Sequence, residues 1–325
     1  MAQYILRRLL AVPFLLIGVT VITFAIVHLV PGSPVQDLRV RIPGMRQEDV
    51  RRIERTLGLD KPVHEQYLSW LGQLAHGDLG ISMSNARPVR TQILERLPNT
   101  LLLTATAMTV ALTLAVPMGI VAAVRRNSVF DHLSNLLASV GFALPTFWIG
   151  LLLILFFSVQ ASTWGLPALP SSGMRSVTGD DGVGDRLRHL VLPVATLSVV
   201  QVAGWLRYIR SQMIEVLAQD YVRTARSKGL AERAVLFGHA FRNALLPLVT
   251  LVGLSLPELV AGAVVVEPIF SWPGIGALSL EAAQNHDYTL IMGMTVFIAF
   301  VTLLANLVTD VVYAVVDPRI TYRSR

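Results

Sequence analysis

What constrains this chain most is a set of apolar runs, each long enough to cross a lipid bilayer. The first extends from Leu9 to Val30, and five more lie near 97–124, 133–160, 189–206, 244–266 and 289–316. A helix rises about 1.5 Å per residue and a hydrocarbon core is about 30 Å thick, so about 20 apolar residues suffice to span it. Prolines 117, 145, 193, 247 and 257 fall inside these runs. A helical bundle tolerates them because neighbouring helices re-satisfy the freed carbonyls. Only 15% of the 325 residues are charged, against about 25% in an ordinary soluble domain. The expectation is an all-α integral membrane protein with six transmembrane helices.

The first run follows Arg7 and Arg8 and so resembles a secretory signal. It is longer than a cleaved apolar region of about 7–15 residues, and no small-x-small site follows it, so it is expected to be retained as the first crossing. Lys and Arg in short connections set orientation. With a cytoplasmic N-terminus, the inner segments hold Arg7, Arg8, Arg125, Arg126, seven more between Arg207 and Arg242, and three after Val316. The two short outer connections hold only Arg175, Arg186 and Arg188. Both termini are therefore expected in the cytoplasm. Residues 1–30 form the first crossing, 31–96 an external cap, and 97–325 a core that contains a cytoplasmic loop at 207–243.

The cap has its own pattern. Val50, Ile53 and Leu57, then Tyr67, Leu68, Leu71 and Leu74, recur at helical spacing, and Gly58 and Gly77 mark helix ends. Residues 171–185, rich in Gly, Ser and Asp, predict a loop.

Several chemistries are excluded by their missing motifs. No G-x-x-x-x-G-K-[ST] occurs, so nothing cradles ATP phosphates, and H-E-x-x-H and G-x-S-x-G are absent as well. There is no cysteine, and the seven histidines are scattered without metal spacing. Neither a catalytic residue nor a cofactor or metal site is expected.

The informative stretch is DYVRTARSKGL, 220–230. Val222 and Ala225 are expected to share a helical face with Gly229, while Arg223, Arg226, Ser227 and Lys228 point elsewhere, and Gly229 is placed to stop the helix. Such a basic amphipathic helix suits either an anionic lipid surface or a groove in a soluble partner.

Around it the chain resembles a known family. Asp220, Tyr221, Arg223, Thr224, Ala225, Arg226, Lys228, Gly229 and Leu230, followed by His239, Ala240, Arg242, Asn243, Ala244 and Pro247, match the cytoplasmic coupling loop of permease subunits of bacterial ABC importers. The version is that of the dipeptide/oligopeptide/nickel subfamily, since Arg223 and Thr224 stand where the general loop has Glu and Ala. Four further segments agree in order: 6–34, then 57–103, which resembles the B-type subunit of a permease pair, then 264–293 and 306–322.

This resemblance implies a type I ABC importer permease fold with a mostly helical external cap between the first two helices. It implies as partners a second homologous permease in a heterodimer, two ATPase subunits that bind the ATP, an external binding protein and a peptide substrate, with no nucleic acid. The coupling residues carried over are Asp220, Tyr221, Arg223, Thr224, Ala225, Arg226, Lys228 and Gly229. Of these, Ala225 and Gly229 are expected to give close backbone approach to an ATPase, and Arg223 and Arg226 charged contacts. Glu258, beside Pro257 in the fifth run, is an intramembrane carboxylate and the candidate translocation-pathway residue. Asn306 and Asp310 read as helix-packing residues. Import of nickel chelates or glutathione-like peptides is the alternative within the family, and an ATP-independent secondary transporter the alternative outside it.

Overall fold

The computed structural model describes residues 2–29, 48, 60–176, 182–241, 244, 248, 251–253, 255–257, 259 and 263–316. Among these the chain is nearly all helix, as expected; the β contact found is an isolated bridge between Ile81 and Pro88. In chain order the helices are α1 (Ala2–Leu29), α2 (Val63–Ala75), α3 (Val89–Val124) and α4 (Val129–Ala143). Then come α5 (Thr146–Ile154, continued by a π segment Leu155–Gln160 and by Ala161–Thr163), α6 (Val183–Leu217) and α7 (Asp220–Ser227). The last four are α8 (Glu232–Ala234, continued by a π segment Val235–Phe241), α9 (Val266–Ile269), α10 (Ile275–Gln284) and α11 (Tyr288–Val316).

Five described helices are long and apolar enough to cross a membrane: Arg8–Leu29, Val89–Val124, Thr146–Thr163, Val183–Leu217 and Tyr288–Val311. They correspond to the expected first to fourth and sixth crossings. Most of the expected fifth crossing lies outside the described residues, and so does Glu258. The third crossing differs from the expected 133–160. Pro145 disfavours a helical residue before it, and Leu144 is extended (ψ 132°), so α4 ends at Ala143 and a new helix starts at Thr146. With 15 residues, α4 is only about 22 Å long, too short to span by itself.

The chain divides into two compact units, Met1–Pro98 with Leu278–Leu307, and Asn99–Ala277 with Val308–Arg325. In the first, α2 realises the expected cap helix, and Gly77 turns the chain after it with φ 77°. The expected helix through Val50, Ile53 and Leu57 lies outside the described residues. α2 rests on α1 through polar and aromatic contacts. The Tyr67 hydroxyl lies 3.0 Å from the Thr20 hydroxyl, and the Phe24 ring packs against Tyr67 and Trp70 and stacks on His28. Both His28 nitrogens are engaged, Nδ1 with the Phe24 carbonyl and Nε2 with Gln66.

The same unit ties the segment before α3 to the start of α11 through Asp287. This carboxylate is buried and accepts hydrogen bonds from the Ser82 and Ser84 hydroxyls and from the backbone N–H groups of Met83, Ser84 and Leu290. Burial opposes its ionisation, but the hydroxyl and N–H donors prevail and hold its pKa below the ordinary carboxylate value.

The second unit packs around α3 and α6. On α3, Leu103, Ala107, Ala111 and Ala115 recur every fourth residue and are fully buried, a stripe of mostly small side chains that lets helices approach closely. At Gly119 the two helices nearly touch: a β-carbon there would stand 2.9 Å from the Ile209 side chain. From α6, Ala203, Trp205, Leu206, Ile209 and Met213 fill the core with Ala138 of α4 and with Ala240, Ala244 and Leu248.

Candidate coupling site

The length of α6 positions the site. Its 35 residues extend about 52 Å, some 20 Å more than a hydrocarbon core requires. Beyond its last turn, Ala218 and the extended Gln219 break the helix and lead into α7. Asp220 occupies the first turn of α7, where negative charge complements the helix dipole, and Arg226 the last. Gly229 ends the helix as the sequence suggests, with φ 75°. The Leu230 N–H bonds to the Ala225 carbonyl and the Gly229 N–H to the Arg226 carbonyl, the pair of bonds that defines a Schellman stop.

The faces of α7 are used differently from the expectation. Val222 is 0% exposed and Ala225 5%, both packed with Val235 of α8 and Leu217 of α6. The small apolar face is therefore covered within the chain. An eight-residue helix has too little surface to be stable alone, so α7 exists because this knot holds it between α6 and α8.

Arg226 is committed within the chain as well. Its Nη2 lies 2.7 Å from Glu232 Oε1 and its Nε 3.2 Å from Oε2. The bidentate pair clasps α7 to the start of α8; the hydrogen bond to Glu232 raises the Arg226 pKa, and the same bond lowers that of Glu232. Glu232 was not singled out by the sequence reading; an acid six residues after an Arg, across a glycine turn, was the available signal. The face left outward carries Asp220, Tyr221, Arg223, Thr224 and Lys228, with Asp220 and Arg223 in a loose 3.7 Å pair. Leu230 and Phe237 nearby are also exposed.

A second cluster in this unit surrounds Glu267. Glu267 is 0% exposed. Its Oε1 accepts from the Thr100 hydroxyl at 2.9 Å and its Oε2 from the Ala277 N–H at 2.9 Å. Gly274 lies directly against the carboxylate, leaving no room for a β-carbon. The SWPGIG turn, 271–276, is fixed by its side chains. Trp272 is buried among Leu103, Ala107, Leu190 and Val194, its indole N–H bonds to the Asn99 carbonyl, and Asn99 donates to the Pro273 carbonyl.

Long apolar helices, with a short basic helix braced at the end of one of them, define a multi-pass helical membrane protein. Comparison with known sequences narrows the class. Residues 115–322 match the family described as binding-protein-dependent transport system inner membrane component, and residues 1–104 match its N-terminal membrane component. The chain is 43% identical over 324 residues to the oligopeptide transport system permease protein AppB of Bacillus subtilis, covering 99% of this chain and 100% of the relative. It is 40% identical over 342 residues to the dipeptide transport system permease protein DppB of Escherichia coli K12, with the same coverage. To the di/tripeptide transport system permease protein DppB of Pseudomonas aeruginosa it is 40% identical over 345 residues, again covering 99% and 100%. The chain belongs to the binding-protein-dependent transport system inner membrane components, and the type I importer permease fold expected from the sequence follows with that membership.

Proposed function

We propose that the chain is the B-type permease of an ATP-driven peptide importer and forms half of its translocation pathway. The observation that carries this is α7, a short basic helix locked to the end of a helix that crosses the membrane. A permease without a phosphate-binding loop takes its energy from outside the chain, and a helix fixed on both sides can receive a push and pass it on. The outward face of α7, with Tyr221, Arg223, Thr224 and Lys228, docks on an ATPase subunit, while Ala225, Arg226 and Gly229 give the helix its shape. ATP binding closes two ATPases and carries α7 and α6 with them, turning the pathway outward; hydrolysis resets it. A second homologous permease completes the pathway. The external cap and the outer segment 267–288 meet a binding protein, and both termini lie inside. Short peptides are the substrate class that the names of the relatives support. Glu258 is assigned to the pathway by its place in the sequence.

The test is reconstitution of the four membrane subunits in liposomes with the binding protein outside. Uptake of radiolabelled di- and tripeptides should require ATP and the binding protein together. Peptide uptake by this chain alone, without ATP, would instead establish the secondary transporter.

A further inference from the structure

A buried charge that the proposed mechanism leaves unused lies at the start of α4, where Asp131 is 1% exposed. Arg210 of α6 grips it with two bonds, Nε to Oδ1 at 2.5 Å and Nη2 to Oδ2 at 2.7 Å. The remaining capacity of the carboxylate is filled by the Asn127 N–H and the Asn135 amide, and Ser128 caps the same turn. The arrangement is complete and bidentate, unlike the loose exposed pair of Asp220 and Arg223.

Arg210 is two turns before Leu217, the α6 residue in the knot under α7. One turn earlier, Arg207 donates to the Ser139 hydroxyl at 2.7 Å and lies over the Phe142 ring. Asp131, Ser134, Ala138 and Gly141 are buried in α4, a single face by their spacing of three and four. At Gly141 a β-carbon would stand 3.2 Å from Val199 and 3.6 Å from the Ala203 β-carbon. The seam between α4 and α6 is thus tight along its length and pinned by an ion pair at the end nearest α7.

We infer that α4 and α6 move as one block, with Asp131 and Arg210 as its latch, so that a stroke received at α7 reaches the third crossing through α4. This rests on the importer reading and deepens it: Asp131 and Arg210 are positioning residues for coupling. A seam that slid during the cycle would have to break both charge-assisted bonds in a buried site, and separated buried charges are costly. A pinned seam transmits the displacement undiminished.

The chain has no cysteine, which permits a clean test. The 3.6 Å separation at Gly141 and Ala203 falls within the range of about 3.5–4.5 Å between bridged β-carbons. In a complex whose other subunits are cysteine-free, Gly141→Cys with Ala203→Cys is oxidised to lock the seam. ATP-dependent uptake of radiolabelled peptide and ATP hydrolysis should both stay within about twofold of the reduced sample, because elements that already move together lose nothing by being joined. A larger loss on oxidation, regained with a reductant, would overturn the block. The second arm is Arg210→Lys, which keeps the charge and gives up the fork. Here uptake per ATP hydrolysed should fall by about tenfold, within the range by which residues between coupled sites change coupling. Uptake and hydrolysis falling in parallel would make the pair merely structural. If the unmodified complex shows no ATP-dependent uptake, it is the importer reading that has failed, a result separate from either arm.

Discussion

Two buried carboxylates in the same compact unit are stabilised in opposite ways. Asp131 faces a guanidinium fork, whereas Glu267 is held by a threonine hydroxyl and a backbone N–H, with a glycine pressed against it. An ion pair fixes one helix to another and fails when either charge is lost. Hydrogen bonds from neutral donors shape a turn and tolerate a neutral acceptor. The first is suited to transmitting force between α6 and α4, the second to holding the Trp272 turn as a fixed surface.

Neutral isosteres separate the two carboxylates most directly. Asp131→Asn leaves Arg210 uncompensated and should destabilise the detergent-solubilised chain by about 3 kcal/mol, the low end for a buried pair because a quarter of the Arg210 side chain remains in solvent. Glu267→Gln retains an acceptor for Thr100 but sets an amide N–H₂ against the Ala277 N–H, and should cost about 1–3 kcal/mol. Thermal unfolding of the two variants side by side measures the order; a larger loss at Glu267 would contradict the contrast. Gly274→Ala probes the turn without touching charge. Its methyl group would fall on the Glu267 carboxylate, so a loss of about 1–3 kcal/mol is expected, as for overpacking elsewhere. A melting temperature equal to that of the parent would show that the turn yields.

Arg226 and Glu232 extend the contrast to an exposed pair, which solvent screens. Arg226→Glu should weaken ATP-driven uptake, and adding Glu232→Arg should restore most of it, since the two groups serve each other. If the double variant is as poor as the single, Arg226 contacts a partner directly. A further effect concerns pH. Asp131 is lowered from 3.8 to about 2, chiefly by the Arg210 hydrogen bond. A depressed folded value means that the contribution is complete above about pH 4 and is lost as pH falls toward 2. Unfolding midpoints of the parent should drop more steeply across that window than those of Asp131→Asn, which retains only the acid-sensitive contributions of groups such as Asp287.

The sequence showed the crossings well because apolar length is set by the bilayer, and it showed the end of α7 because a left-handed stop favours glycine at 229. It misplaced the start of the third crossing, since Pro145 inside an apolar run can kink a helix or end it, and only the extended Leu144 decides between them. At the site, helical spacing correctly put Val222 and Ala225 on one face but could not say which neighbour covers it. That neighbour is Val235, ten residues beyond Ala225 and across a turn. Asp131, Arg210 and Glu267 went unremarked for the same reason. Their partners lie 79 and 167 residues away, and nothing in local pattern connects them.

Coupling as proposed requires that α7 offer its polar face to an ATPase and keep its apolar face for the chain itself. A photo-crosslinking amino acid placed at Thr224 or at Ala225 in the assembled importer tests this in one gel. A crosslink to the ATPase subunit is expected from position 224 and none from 225, where the probe should react within the chain. An ATPase crosslink from 225 with none from 224 would contradict it.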